Sequence, residues 1–185
     1  NLTAGDHLIL IGEVKSFGED NGFPLGYFQG SYFSLNNTNS LVNVISKSTK
    51  TIIGVIFENN QSILFNEDPK TKVLTLPCVG ENNEIASTSN LLKKYDSLGF
   101  KAKLDFVYSV YEDKKLDAVC IYYRSKNSSD APYGSKYINF FEIPWENIKD
   151  EALVIMLKRY VEESSHDNFA IYMGDEKSGL TQKLK

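Results

Sequence analysis

The sequence has 185 residues, of which 42% are hydrophobic and 24% charged, a composition typical of a soluble globular protein with room for one domain and part of another. A formal net charge of −4, with no strong basic patch, argues against a nucleic-acid-binding protein, because phosphate binding normally requires a basic face. Two widely separated cysteines, Cys78 and Cys120, argue against a zinc site and a disulfide framework. No apolar run is long enough to span a bilayer and no signal peptide is present, so we expect a cytoplasmic protein without a membrane partner.

The beginning of the chain has the pattern of extended structure. Residues 8–17 are apolar at first and alternating later, as in a β-strand. Residues 24–35 are rich in aromatic side chains with glycines between them, and they predict a strand or extended segment. A polar linker at residues 36–40 then separates residues 1–35 from a second domain, which we place at residues 41–185.

The second domain alternates short strands with two helices. One helix is predicted over residues 85–98, with Ser87, Thr88 or Ser89 as an alternative later cap, and another over residues 151–164 after Asp150. Because no long strand–helix–strand series occurs, the pattern predicts an α+β fold: a mixed sheet flanked by helices on both sides. Strands are predicted at residues 41–46, 51–57, 62–65, 72–76, 102–111, 116–124, 137–143 and 169–173.

The first of these helices lies in a segment that resembles the Nudix box. A strand ends in Leu76-Pro77, a turn and a helix follow, and Gly99-Phe100 closes the unit. When the box is anchored on Gly99, Glu84 falls on its first glutamate at the correct spacing of fifteen, and Cys78 stands at its first glycine. With the hairpins on either side and the last helix, the resemblance covers about residues 41–175 and implies a Nudix-like fold.

The box is degenerate at the positions that carry its chemistry. Leu92 stands at the arginine, Lys93 at the next glutamate, and Ser97 at one of the last glutamate pair, so that only Glu84 and Asp96 remain as a weak metal site. Nudix hydrolysis needs clustered carboxylates to hold divalent ions. We therefore expect Mg²⁺ to bind poorly and hydrolysis to be absent or very weak. An ordinary amphipathic helix, with Glu84 favoured by the helix dipole, remains the alternative interpretation.

A second resemblance lies in the first 35 residues. They contain Gly-Asp-His, an apolar strand and Gly-x-Val, and then Pro-Leu, an aromatic pair and x-Gly-x-Tyr. This order is similar to the C-terminal strands of the flavin reductase-like (FMN-binding) split barrel. The sequence departs from that pattern at Gln29, where an arginine is usual.

The split-barrel resemblance implies a flavin cofactor, FMN or FAD, in the intact protein. It implies His7, with Tyr27 and Tyr32, as cofactor-binding residues. A strand-end histidine without a ligand and simple aromatic packing remain the alternatives. Because 35 residues cannot form a split barrel, either the missing barrel lies before Asn1 in a reductase–Nudix fusion, or the segment packs on the Nudix-like domain and flavin binding is lost.

Three functions are consistent with these patterns. The first is a binding or regulatory module that holds a nucleotide or dinucleotide beside an attached reductase. The second is an active enzyme: an NAD(P)H-dependent flavin reductase (an oxidoreductase) in the intact protein, or a divergent Nudix hydrolase that uses loop carboxylates such as Glu81, Glu112 and Asp113. The third is a module for homodimerisation.

Overall fold

The computed structural model describes residues 2–4, 7–9, 13, 15–18, 25–28, 31–34, 50–81, 84–175, 177 and 179–183. Near the start of the chain, β1 (Leu2–Ala4) pairs antiparallel with β2 (His7–Ile9), and β3 (Leu25–Phe28) pairs antiparallel with β4 (Ser31–Ser34). The predicted extended structure is thus present in part: residues 13 and 15–17, inside the strand predicted at residues 8–17, form no strand. The linker and the predicted strand at residues 41–46 lie outside the described residues.

The remaining strands form one mixed sheet, as predicted. Seven of them lie in the order β11-β6-β5-β10-β9-β12-β13, while β7 pairs with β6 and β8 with β5. The β5–β10 and β9–β12 pairs are parallel, and the other pairs are antiparallel. The strands are β5 (Lys50–Asn59), β6 (Ser62–Glu67), β7 (Leu74–Thr75), β8 (Cys78–Val79), β9 (Phe106–Asp113), β10 (Ala118–Lys126), β11 (Ser135–Asn139), β12 (Ala170–Asp175) and β13 (Gly179–Lys183).

Two helices cover opposite faces of this sheet. Alternate residues of β5 point to opposite faces, since successive side chains of a strand do so. Ile52 and Ile56 belong to one core with helix α2 (Glu151–Ser165), whereas Ile53 and Phe57 belong to another with helix α1 (Thr88–Asp96). This arrangement confirms the α+β prediction with helices on both sides. Among the described residues, neither helix is long and apolar enough to cross a membrane.

Local capping determines where both helices begin. Ser87 accepts a hydrogen bond from the Asn90 amide at 3.0 Å, so α1 starts three residues later than the predicted residue 85, at the alternative cap. After the helix, Gly99 has a φ of 76°, the left-handed conformation expected of a glycine stop. Asp150 caps α2 by accepting the Ala152 and Leu153 amides at 2.9 and 3.3 Å.

Two predicted details are wrong in the second domain. The predicted strand at residues 137–143 stops at Asn139, because the Asn139 side chain accepts the Phe141 amide at 3.1 Å and starts a 3₁₀ turn over Phe140–Glu142. Strands β8 and β13 were not predicted; β8 has only two residues, and β13 is exposed along its whole length and shows no apolar alternation. The missed strands lengthen the sheet without changing its class.

Candidate functional site

The degenerate Nudix box places Glu84 in an exposed loop before α1. Its carboxylate oxygen lies 3.6 Å from Nζ of Lys94, and both side chains are about half exposed. Lys94 also donates a hydrogen bond to the Cys78 carbonyl oxygen, at 3.4 Å. The positive charge of Lys94 therefore lies next to Glu84, and it disfavours binding of a divalent cation at that carboxylate.

The other predicted metal residue, Asp96, is exposed at the last position of α1. Ser97, which replaces a glutamate of the box, ends the helix, and its hydroxyl donates to the Lys94 carbonyl oxygen at 2.7 Å. In the part of the chain that the structure describes, no group of three or more His, Cys, Asp or Glu side chains is placed to hold a metal ion. The assignment of Glu84 and Asp96 as a weak metal site stays a prediction.

The predicted flavin-binding residues lie on the strands near the start of the chain. His7 is the first residue of β2, and Tyr27 and Tyr32 are register partners across the β3–β4 hairpin. Their side chains lie outside the described part of the structure, so these assignments stay predictions.

A cleft of about 350 Å³ opens beside the start of the degenerate Nudix box. It lies between β7, the β9–β10 hairpin and the beginning of α2, and Cys78 and Glu81 border it from the box side. Its volume falls within the range of small-molecule sites, roughly 300–1,000 Å³. The apolar part of its wall is formed by Val73, Leu74, Leu76, Leu116 and Leu153.

Two aspartates are the least exposed of the charged residues that line this cleft. Asp113 is 4% exposed, and its Oδ1 accepts the Lys115 and Leu116 amides at 2.8 and 3.0 Å in the β9–β10 turn. Asp150 uses its own Oδ1 to cap α2. Burial raises the pKa of the Asp150 carboxyl, and the nearby Asp113 charge raises it further. The two carboxylates are therefore neighbours in a partly desolvated site.

The floor of the cleft is the ring of Tyr122, which lies directly on Gly54. A Cβ atom at Gly54 would come within 2.3 Å of the Tyr122 ring, so the strand needs a glycine here. The Tyr111 ring lies parallel to that of Tyr122, at 6.1 Å and 9°. The Tyr111 hydroxyl is buried and has no hydrogen-bond partner among the described residues. Tyr122 is therefore packed against both Gly54 and Tyr111, and only 6% of it is exposed.

The two thiols near the cleft are unreactive by environment. Burial raises the pKa of both Cys78 and Cys120 to about 12. Cys78 borders the cleft, and Cys120 is buried in the core below it. Neither thiol has the depressed pKa of a nucleophile, so the cleft offers a binding surface rather than a thiol-based reaction centre.

A second polar group lies at the other end of β5 and β10. Arg124 Nη2 is 3.1 Å from the Glu58 carboxylate, and its Nε donates to the Tyr160 hydroxyl at 3.0 Å. The Tyr160 hydroxyl in turn donates to Glu58. The guanidinium stacks 4.3 Å from the centre of the Phe169 ring. Arg124, Glu58 and Tyr160 thus bind one another within the fold, which indicates a structural role.

Sequence analysis identified some residues of the cleft, but it assigned them other roles. Asp113 and Glu81 were considered as substitute metal ligands, and Asp150 as the residue before a helix. The sequence does not show that these residues lie close together, because Asp113 lies at the end of β9 and Asp150 follows a 3₁₀ turn after β11. A carboxylate directly after an apolar strand was the available signal for Asp113.

Comparison with solved structures places this fold among the Nudix proteins. A Nudix hydrolase from Nitrosomonas europaea superposes with a TM-score of 0.58 and 24% identity, over 71% of this chain and 81% of that one. At this identity the likeness concerns the fold alone. No protein-family model matches the chain.

Comparison of sequences gives a different class of relative. The chain is 31% identical over 185 residues to a protein from Rhizobium meliloti (strain 1021) named probable flavin reductase, and 27% identical over 183 residues to the reductase component of a flavin-dependent trigonelline monooxygenase from Acinetobacter baylyi. Each match covers 99% of this chain and 58% or 57% of the relative, so the chain spans little more than half of their length. The similarity to proteins named as flavin reductases therefore extends over the whole of this chain, beyond the resemblance seen in residues 1–35.

Proposed function

We propose that this chain is a Nudix-like ligand-binding module of a flavin reductase-type protein, and that it binds a nucleotide or dinucleotide without hydrolysing it. The observation that carries the proposal is the combination of a Nudix-like sheet with similarity, over the whole of this chain, to proteins named as flavin reductases. For a module attached to a reductase, the nicotinamide dinucleotide that the reductase consumes is the obvious ligand. The cleft beside the box supplies a volume suited to part of such a ligand.

The proposed loss of hydrolysis follows from the residues that α1 carries at the positions of the box. Lys93 and Ser97 stand at glutamate positions of the box that would hold Mg²⁺, Leu92 stands at its arginine, and Lys94 forms an ion pair with Glu84. An ammonium group at 3.6 Å competes with a divalent ion for the same carboxylate. The proposal also holds that Glu81, Glu112 and Asp113 do not replace the missing helix carboxylates.

The division of labour in the intact protein is part of the same proposal. Residues 1–35 end a flavin-binding split barrel, and residues 41–185 form the Nudix-like module after a linker at residues 36–40. FMN or FAD is held by the barrel, with His7, Tyr27 and Tyr32 on its side of the molecule. NAD(P)H-dependent flavin reduction is then an activity of the barrel, and a homodimer would be assembled through that region.

The test uses the intact protein with Mg²⁺ and a panel of NAD⁺, NADH, ADP-ribose and nucleoside diphosphate sugars. Calorimetry measures binding and chromatography measures hydrolysis. We expect saturable binding of at least one dinucleotide, no turnover, and the same result for Glu84→Gln. Clear turnover that Glu84→Gln abolishes would refute the proposal in favour of an active hydrolase, and the absence of any binding would refute the module itself.

A further inference from the structure

We propose that a groove beside α2 binds a small organic monocarboxylate, with its carboxylate on Arg159 and Tyr111 and its apolar body against Ile155. The groove has a volume of about 80 Å³ and lies between α2, β9 and β12. It shares no lining residue with the cleft beside the Nudix box. A ligand here is therefore additional to the nucleotide of the proposed function, and its binding does not depend on that of the nucleotide.

One wall of the groove is a stripe of α2. The helix residues that line it lie three, four and seven positions from the first, and so share one helix face: Ala152, Ile155, Met156 and Arg159. Ile155 is 57% exposed, although it is a large apolar side chain. This face therefore offers an apolar surface next to a guanidinium group, which suits a ligand with one apolar end and one anionic end.

Arg159 is held in place by its neighbours but keeps unused donors. Its guanidinium lies 4.4 Å from the centre of the Tyr108 ring and 5.3 Å from that of Tyr172, and 21% of the side chain is exposed. Within the described residues it donates to the Ala170 and Tyr108 carbonyl oxygens, at 3.3 and 3.5 Å, which are long distances for hydrogen bonds. A guanidinium has further N–H groups, and a carboxylate accepts two parallel hydrogen bonds from it.

The strand side of the groove adds buried polar side chains. Tyr111 and Ser109 line it from β9, and they are 2% and 1% exposed. The Tyr111 hydroxyl has no hydrogen-bond partner among the described residues. Burial raises the pKa of this phenol, so the hydroxyl stays protonated and is a donor for an anion. A buried hydroxyl without a partner is costly, and a bound carboxylate supplies the missing acceptor.

The charges around the groove favour a monoanion over a phosphate. Arg159 and Lys177 carry positive charges, and Asp175 provides the one carboxylate among the described residues that line the groove. Asp175 lies 3.6 Å from Lys114, and Glu163 lies 3.7 Å from Arg159. The positive charge is thus sufficient for a single negative charge, whereas a phosphate dianion is repelled more strongly by the two nearby carboxylates.

The size of the groove limits the ligand. A water molecule needs roughly 10–15 Å³ of such a space, so about 80 Å³ accommodates roughly five to eight heavy atoms. Benzoate fits this space with its carboxylate and part of its ring inside, and the rest of the ring reaches the exposed Ile155. A nucleotide has too many atoms to fit.

The experiment compares ligands that share a shape and differ in charge. The intact protein is titrated calorimetrically with benzoate, with its neutral analogue benzamide, and with inorganic phosphate, an anion without an apolar body. We expect benzoate to bind about tenfold more tightly than either, because hydrogen bonds to charged groups are stronger than neutral ones. Arg159→Lys keeps the charge but loses the planar fork, and it should weaken benzoate binding by about tenfold. Tyr111→Phe should weaken it by about threefold.

The tyrosine variants separate binding from stability. Tyr111→Phe removes a buried hydroxyl that has no described partner, so it should leave the unfolding midpoint unchanged or raise it while benzoate binding weakens. Tyr137→Phe is the matched control, because the Tyr137 hydroxyl is also buried without a described partner, but Tyr137 packs against the core on the other face of the sheet. This control should leave benzoate binding unchanged.

Three results overturn the proposal. They are equal affinity for benzoate and benzamide, phosphate binding as tight as that of benzoate, and a benzoate preference that survives both Arg159→Lys and Tyr111→Phe. The last result means that benzoate binds elsewhere in the intact protein. Because dinucleotide binding is measured separately, its absence refutes the proposed function and leaves the carboxylate site to be decided by these titrations.

Discussion

Replacing Gly54 by alanine tests how the floor of the cleft is built. An alanine Cβ would lie 2.3 and 2.6 Å from two atoms of the Tyr122 ring, well inside the distance at which carbon atoms repel. The ring cannot retreat freely, because Tyr122 is 6% exposed and lies against Tyr111. Overpacking of this kind costs about 1–3 kcal/mol. The backbone at Gly54 needs no positive φ, so without the ring an alanine would stabilise the strand by roughly 0.5–1 kcal/mol.

The measurement is urea unfolding followed by fluorescence of Trp145, the single tryptophan. Gly54→Ala should destabilise the protein, and in a Tyr122→Ala background the same change should become neutral or favourable, a coupling of about 1–3 kcal/mol. Gly99→Ala is the matched control: its φ of 76° causes backbone strain, nothing lies within 4 Å, and its cost should not depend on Tyr122. If Gly54→Ala is neutral, or equally costly without the Tyr122 ring, the steric argument fails.

Three further predictions concern charge and burial. Arg124→Met should destabilise the protein by about 3–5 kcal/mol in denaturant unfolding, because it leaves the 11%-exposed Glu58 carboxylate without its cation; a loss below 1 kcal/mol would contradict a buried ion pair. Asp150→Ala should cost about 1 kcal/mol and Asp150→Asn much less, since asparagine also caps helices. Because the folded-state pKa of Asp150 is raised, the contribution of its carboxyl to stability should fall as pH rises from 3.8 through that pKa; in a pH series of unfolding curves, wild-type stability should therefore decrease relative to that of Asp150→Asn. Cys78 and Cys120, with a pKa of about 12 against 9.0, should hold about a thousandfold less thiolate at pH 8 than in the unfolded chain; rapid iodoacetamide labelling of the native protein would contradict this.

Periodicity and capping residues made most of the second domain predictable. The apolar run at residues 51–57 and the helical spacing after Asp150 became β5 and α2 with small changes at the ends. The turn between β5 and β6 was also accessible, since Asn60 and Gln61 both adopt a positive φ and asparagine tolerates that conformation. These features depend on residues close together in sequence.

The cleft could not be predicted in the same way. Asp113 and Asp150 are 37 positions apart in sequence, and only the packing of α2 across the sheet brings them to one site. The direction of Lys115 and Lys149 depends on partners that no pattern reveals. The Glu84–Lys94 ion pair was missed because the box register assigns position 94 an apolar role, whereas α1 buries Leu91 and Tyr95 instead.

The parallel pairing of β5 with β10 has a consequence for biosynthesis. Lys50 pairs with Ala118, so 68 further residues must be synthesised after Lys50 before pairing with β10 can begin. At about 5–20 residues per second a ribosome needs about 3–14 s for that length. During this time the six consecutive residues at positions 52–57, all buried in the native sheet, have no native cover from β10. Such a strand is prone to aggregate, so we expect the yield of folded protein to depend on chaperones and on a low expression temperature.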